Sequence, residues 1–254
     1  MKKTESNKST SWEPVHKWYK TTVSTEGHYY HRQVIIPGVL RLLELNESSS
    51  LLDLACGNGV FCSHIPKKVH YEGIDISPSL IKDARKNNPK TLFHVADITK
   101  TFPTKKTDFT HSIIILALQN IEHPDKVFQL ATKHLASEAK LIIVLNHPSF
   151  RIPRQTSWQI DAENKIQYRR IDRYSSPLKI PIQASPSKGA RSASTWSFHY
   201  PLADYSRWLH EAGFTIDLIE EWHSDKTSTG GAAKMENRSR AEFPLFMTLI
   251  CRKK

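Results

Sequence analysis

Five residues with chemical potential recur where apolar runs of this chain give out: Asp53, Gly57, Gly59, Asp75 and Asp97. The densest group is Leu51-Leu52-Asp53-Leu54-Ala55-Cys56-Gly57-Asn58-Gly59-Val60-Phe61, a strand-like run that enters a Gly-x-Gly turn and uses two of only 9 glycines. Glycine opens backbone angles closed to other residues and lets a ligand lie against the main chain, so a nucleotide-like cofactor is expected at this turn. A carboxylate at a strand end balances a cation or accepts hydrogen bonds from paired donors, which suits Asp53 to a cationic group and Asp75 to a pair of hydroxyls.

Such residues need a sheet to line them up, and the pattern around them supplies one. Apolar residues at helical spacing mark a helix over 34–45, with Pro37 tolerable only near its start. Strands are expected at 50–54, 70–76, 92–96, 109–116 and 140–145. Short helices fall between them, the one after 76 opened by Ser77-Pro78 and closed by Pro89. Alternation of this kind predicts a doubly wound, mostly parallel α/β sheet. Beyond 145 the rhythm breaks. Residues 146–198 are rich in Pro, Ser and Arg and read as a lid-like insertion after strand five, before a helix over 201–212 and two closing strands at 214–222 and 245–251. Residues 1–10 read as a disordered tail and 11–254 as a single domain, with 12–33 and 146–198 on its substrate side.

In order and placement, Asp53-Leu54-Ala55-Cys56-Gly57-Asn58-Gly59, then Gly73-Ile74-Asp75-Ile76-Ser77, then Ala96-Asp97-Ile98, resemble the class I S-adenosylmethionine-dependent methyltransferases. The resemblance covers roughly residues 34 to 145 plus the closing strands. It implies seven strands with the last antiparallel, and S-adenosylmethionine as cofactor. By the same resemblance the cofactor-binding positions are Asp53, Ala55, Cys56, Gly57 and Gly59 at the first turn, Asp75 at the ribose, Asp97 at the adenine amino group with Ile76 and Ile98 as walls for the ring, and Leu116 and Ala117 at the methionine end. Ala55 stands where the fuller Gly-x-Gly-x-Gly pattern has its first glycine. A nicotinamide enzyme would want a third glycine or alanine where Cys62 stands, which argues against that reading. Cys56 reads as a small packed residue, not a nucleophile, and His111 as a core histidine.

On the acceptor side, Asn146-His147-Pro148-Ser149 follows strand five at the edge where open α/β sheets bind ligands, and His147 is the candidate catalytic base. This run differs from the Asn-Pro-Pro-Tyr type of signature of enzymes that methylate base or glutamine amines. The formal charge is +11, and residues 151–200 hold nine Lys/Arg against three Asp/Glu. Tyr29, Tyr30, His31, Arg151 and Arg154 are therefore expected to bind an anionic or aromatic small molecule, Arg forks meeting carboxylate or phosphate. An RNA-binding or RNA-modifying role for the basic insertion, with the cofactor pocket regulatory, is the competing expectation. Three cysteines without close ligand spacing suggest reduced thiols and no metal site, and no signal-like or membrane-spanning run is seen, so a cytoplasmic location is expected.

Overall fold

Leu51, Leu52 and Leu54 leave β1 (Ser50–Leu54) buried at every position, as a strand covered on both faces must be. The computed structural model describes Glu13 and residues 27–183 and 194–254. The expected tail at 1–10 and most of the 12–33 segment lie outside the described residues. After β1 come β2 (His70–Asp75), β3 (Leu92–Val95), β4 (Phe109–Ile115) and β5 (Leu135–Asn146), then β6 (Thr156–Asp161), β7 (Ile166–Ile171), β8 (Leu178–Gln183) and β9 (Ser194–His199), and finally β10 (Phe214–Trp222) and β11 (Phe246–Lys253). The helices are α1 (Ile36–Leu43), α2 (Pro78–Asn87), α3 (Pro124–His134), α4 (Leu202–Glu211) and α5 (Ala233–Glu242).

Seven strands form one sheet in the order β10-β11-β5-β4-β1-β2-β3. β11 is antiparallel to both its neighbours, β10 and β5, and the other pairings are parallel, as the sequence implied for the last strand. The expected 146–198 insertion is two antiparallel hairpins, β6–β7 and β8–β9, each a separate two-stranded sheet. β5 begins earlier than expected, at Leu135. The strand was expected at 140–145; its earlier residues enter through an irregularity in the pairing with β4, with Glu138 at φ 60°.

Strand alternation splits the core. Leu52, Leu54 and Ile114 join Val127 and Phe128 of α3 and Leu209 of α4 in one cluster, whereas Leu51 and Ile113 join Val39 and Leu43 of α1 and Ile81 and Ala84 of α2 in another. Asp53 is two residues on from Leu51, so it points to the α1 side, into apolar surroundings. α2 starts where Ser77 Oγ accepts from Leu80 N at 3.2 Å and Pro78 fills a first-turn position. α1 carries Gly38 for a packing reason: a Cβ there would lie 2.6 Å from the Trp222 ring of β10.

Candidate functional site

The turn after β1 is a chain of unusual backbone angles. Ala55, Gly57 and Gly59 have φ of 62°, 57° and 74°. For the two glycines this region is free, whereas Ala55 bears a cost of about 1 kcal/mol. The turn is pinned by Cys56 N donating to Ile74 O at 3.0 Å and Gly59 N to Cys56 O at 3.1 Å. Asp75, at the end of β2, closes it from the other side, its two oxygens accepting from Gly57 N and Ser77 N, each at 2.9 Å. A carboxylate accepts about four hydrogen bonds, so Asp75 keeps acceptor capacity beyond its backbone donors. Gly59 also serves packing, because a Cβ there would come within 3.1 Å of both Asn88 and Phe93.

Asp53 is 3% exposed and takes one side-chain hydrogen bond, from Tyr71 Oη at 2.5 Å. Burial raises its pKa to about 7, against the lowering effect of the Tyr71 bond, and the nearby Asp75 charge adds to the rise. Burial likewise raises Asp75, although backbone N–H groups of Ser77, Gly57 and Ile76 hold it down. Cys56, half-buried beside these two acids, has a thiol pKa well above its ordinary value through desolvation and their charges, so it stays protonated and is no nucleophile. Tyr71 was not singled out from sequence. Its signal was a phenol on a strand beside the one that ends at Asp53, since a buried hydroxyl requires a partner.

Beside Asp53 lies a recess of about 420 Å³, bounded by Ala55, Cys56, Asn58, Ile115 and, from the segment before α1, His31. Burial drives the His31 pKa to about 3, so its ring is neutral, and its Nδ1 has no hydrogen-bond partner among the described residues. The N-terminal aromatic segment thus reaches the cofactor turn, but Tyr29 and Tyr30 turn elsewhere. Tyr29 Oη donates to Asp225 Oδ2 at 2.8 Å, Tyr30 Oη shares a hydrogen bond with Ser224 Oγ at 3.0 Å, and Lys226 Nζ lies over both rings.

The third strand end stands beside the second, Ala96 N donating to Asp75 O at 2.9 Å. Ile76 is 36% exposed there, an apolar side chain open to a flat ring, whereas Ile98 is 5% exposed within the core cluster. Asp97 Oδ1 accepts from Thr99 N at 3.0 Å and Thr99 Oγ1 at 2.7 Å, and Oδ2 pairs with Lys100 at 3.0 Å. Burial would raise Asp97, but these partners outweigh it and the net shift is down. At the end of β4, Leu116 takes φ 51° and, with Ala117, is half-buried.

His147 does not have the geometry of a base. It is 4% exposed, Nδ1 accepts from Ser149 N at 3.1 Å, and Nε2 lies 2.7 Å from Glu221 Oε1. Since Nδ1 must be the acceptor, Nε2 carries the proton and donates to Glu221. Burial lowers its pKa although Glu221 raises it. Both nitrogens are committed, and the residue braces the end of β5 against β10. The motif placed His147 correctly at the sheet edge. Glu221, seventy-four residues away, was invisible to it.

Of the two candidate arginines, Arg151 lines a second recess of about 330 Å³ together with Gln119 and Asn146, and Arg154 does not, its Nη2 donating to Pro181 O at 3.0 Å. Sequence reasoning missed Gln119, on the turn Leu118–Asn120 after β4, and Arg169 of β7, which is fixed by Phe150 O at 2.8 Å, Thr156 Oγ1 at 2.6 Å and the Trp158 face.

The residues at the β1 and β2 ends fit S-adenosylmethionine: a buried acid on a recess, a second acid with spare acceptor capacity, an exposed Ile beside it, and a turn whose glycines allow close approach. Comparison with known proteins agrees. A methyltransferase-domain family profile matches residues 27–219. Phosphoethanolamine N-methyltransferase of Plasmodium falciparum is 29% identical over 138 residues, covering 52% of this chain and 50% of that protein. Trans-aconitate 2-methyltransferase of Methylobacterium nodulans is 23% identical, covering 71% and 63%. The match thus spans about half to two thirds of the length of these two relatives. A solved S-adenosylmethionine-dependent methyltransferase structure from Listeria monocytogenes superposes with a TM-score of 0.67 at 21% identity, covering 86% of this chain and 98% of that one. With the profile covering most of the sequence and the seven-stranded order in place, the chain belongs to the class I S-adenosylmethionine-dependent methyltransferase family.

Proposed function

We propose that this protein transfers a methyl group from S-adenosylmethionine to a small anionic molecule. The observation that carries the reading is the joint placement of Asp53 on the recess and Asp75 across the glycine turn, two acids at adjacent strand ends with distinct partners. S-adenosylmethionine supplies an electrophilic methyl on a sulfonium, and its displacement needs little covalent help from the protein. Holding the nucleophile in line in a site shielded from water supplies much of the rate. In this reading Asp53 takes the methionine ammonium, Asp75 the ribose hydroxyls, Ile76 covers the adenine, and Asp97 meets its amino group with the capacity that Thr99 and Lys100 leave. Leu116 and Ala117 line the methionine end, and neutral His31 closes the recess over it.

Small acidic acceptors are supported by two relatives named for phosphoethanolamine and trans-aconitate, and by Arg151 at the neighbouring recess. Several other cations of the insertion are used internally, Arg170 on Asp172 and Lys179 on Glu122, which weakens the case for a nucleic-acid track. Calorimetry with S-adenosylhomocysteine tests the cofactor, with micromolar binding expected and no heat sinking the reading. Incubation with labelled methyl donor and fractionated cell extract tests the acceptor, with label expected in small molecules. Label confined to RNA would overturn that part.

A further inference from the structure

The turn at the end of β4 divides two recesses. Ile115 borders the one that holds Asp53; Gln119, four residues on, borders the other, whose far side is β9. In that second recess one polar atom is stranded. Gln119 Nε2 donates to Leu116 O at 2.7 Å, which fixes the amide orientation, because only the nitrogen can face a carbonyl. Its Oε1 is consequently turned away, buried and without a partner among the described residues. A buried acceptor left unpaired is unfavourable, so the site favours a ligand that brings a donor.

The same recess holds an uncountered charge. The Arg151 guanidinium has no hydrogen bond or ion pair with the described residues, and no Asp or Glu lines the recess. Arg151 is exposed, so its guanidinium is reachable by a ligand at the mouth of the recess. A guanidinium at a recess that offers it no carboxylate is a seat for an anion.

We propose that this second recess is the acceptor seat, and that it selects a small molecule bearing both an anionic group, held by Arg151, and a separate N–H or O–H donor, received by Gln119 Oε1. The inference rests on the methyltransferase reading above. It adds an orientation: the donor end faces the β4 turn and the cofactor recess beyond it, and the anion faces the hairpins. Neither a simple anion nor a simple amine satisfies both groups.

The test is calorimetric titration of the full chain, with and without saturating S-adenosylhomocysteine, using phosphoethanolamine, inorganic phosphate and ethanolamine as probes. Phosphoethanolamine is expected to bind at least tenfold more tightly than phosphate, and ethanolamine not at all. Arg151→Met should weaken both anions at least tenfold, whereas Gln119→Met should erase only the advantage of phosphoethanolamine over phosphate. S-adenosylhomocysteine affinity should hold in both variants, showing that the fold survives. Equal affinity for phosphate and phosphoethanolamine, or an Arg151→Met variant that binds both as before, would overturn the inference. Loss of S-adenosylhomocysteine binding by the unmodified protein would instead fail the cofactor reading, and the titrations without it still decide the recess.

Discussion

The buried acid at the end of β1 should make the ligand-free protein less stable than it needs to be, and Asp53→Asn measures by how much. Burial carries the Asp53 pKa from 3.8 to about 7, so the folded state binds a proton that the unfolded state has released between those values. Stability therefore falls as pH rises through that window and is flat above it, the reverse of a salt-bridged carboxylate. At about 1.4 kcal/mol for each pH unit, burying the acid costs roughly 4 kcal/mol at pH 8 and about 2 kcal/mol at pH 5. Asn keeps the shape, still accepts from Tyr71 Oη and has no charge to desolvate. Urea unfolding should then show the variant gaining on the wild type by about 2 kcal/mol more at pH 8 than at pH 5. A pH-independent difference, or a variant less stable than wild type at pH 8, would refute the reasoning. The same acid governs ligand affinity with the opposite preference. A cationic ammonium favours ionised Asp53, so S-adenosylhomocysteine should bind about tenfold more weakly for each pH unit below 7 and evenly above it, and Asp53→Asn should bind poorly at every pH.

Asp75→Ala frees Gly57 N and Ser77 N and removes the spare acceptors, so S-adenosylhomocysteine should bind at least tenfold more weakly in calorimetry; an unchanged dissociation constant would dismiss the ribose assignment. Gly38→Ala drives a methyl into the Trp222 ring and should cost about 1–3 kcal/mol in urea unfolding, with Trp222→Leu restoring part of the loss. His147→Ala should destabilise by about 1–3 kcal/mol, because Ser149 N and Glu221 lose their partner, while the turnover of the folded fraction stays within a few-fold. A turnover loss of a hundredfold at full folding would return His147 to the chemistry.

The positions of the candidate cofactor residues were legible because they sit close together in sequence and at strand ends, where an apolar run followed by an acid or glycine has a definite geometric meaning. Asp53, Gly57 and Asp75 stand at the ends of β1 and β2 and the turn between them as read, and the antiparallel last strand followed from the family pattern. What escaped depends on contacts between distant elements. Tyr71 reaches Asp53 only because β2 lies beside β1; Glu221 meets His147 only through the late strands; Gln119 matters because a backbone carbonyl fixes which end of its amide faces out. The 146–198 segment was legible as an interruption but not as hairpins, because alternation such as Gln167-Tyr168-Arg169-Arg170 is polar on both faces and lacks the apolar stripe that marks a core strand.

The two hairpins pair only within themselves and add no rung to the seven-stranded ladder. Their register is therefore independent of the register of the sheet. A change of pairing within either hairpin would leave the hydrogen bonds beneath Asp53 and Asp75 in place. On the methyltransferase reading proposed above, the wall that β9 gives the Arg151 recess is thus free to vary while the donor turn stays fixed.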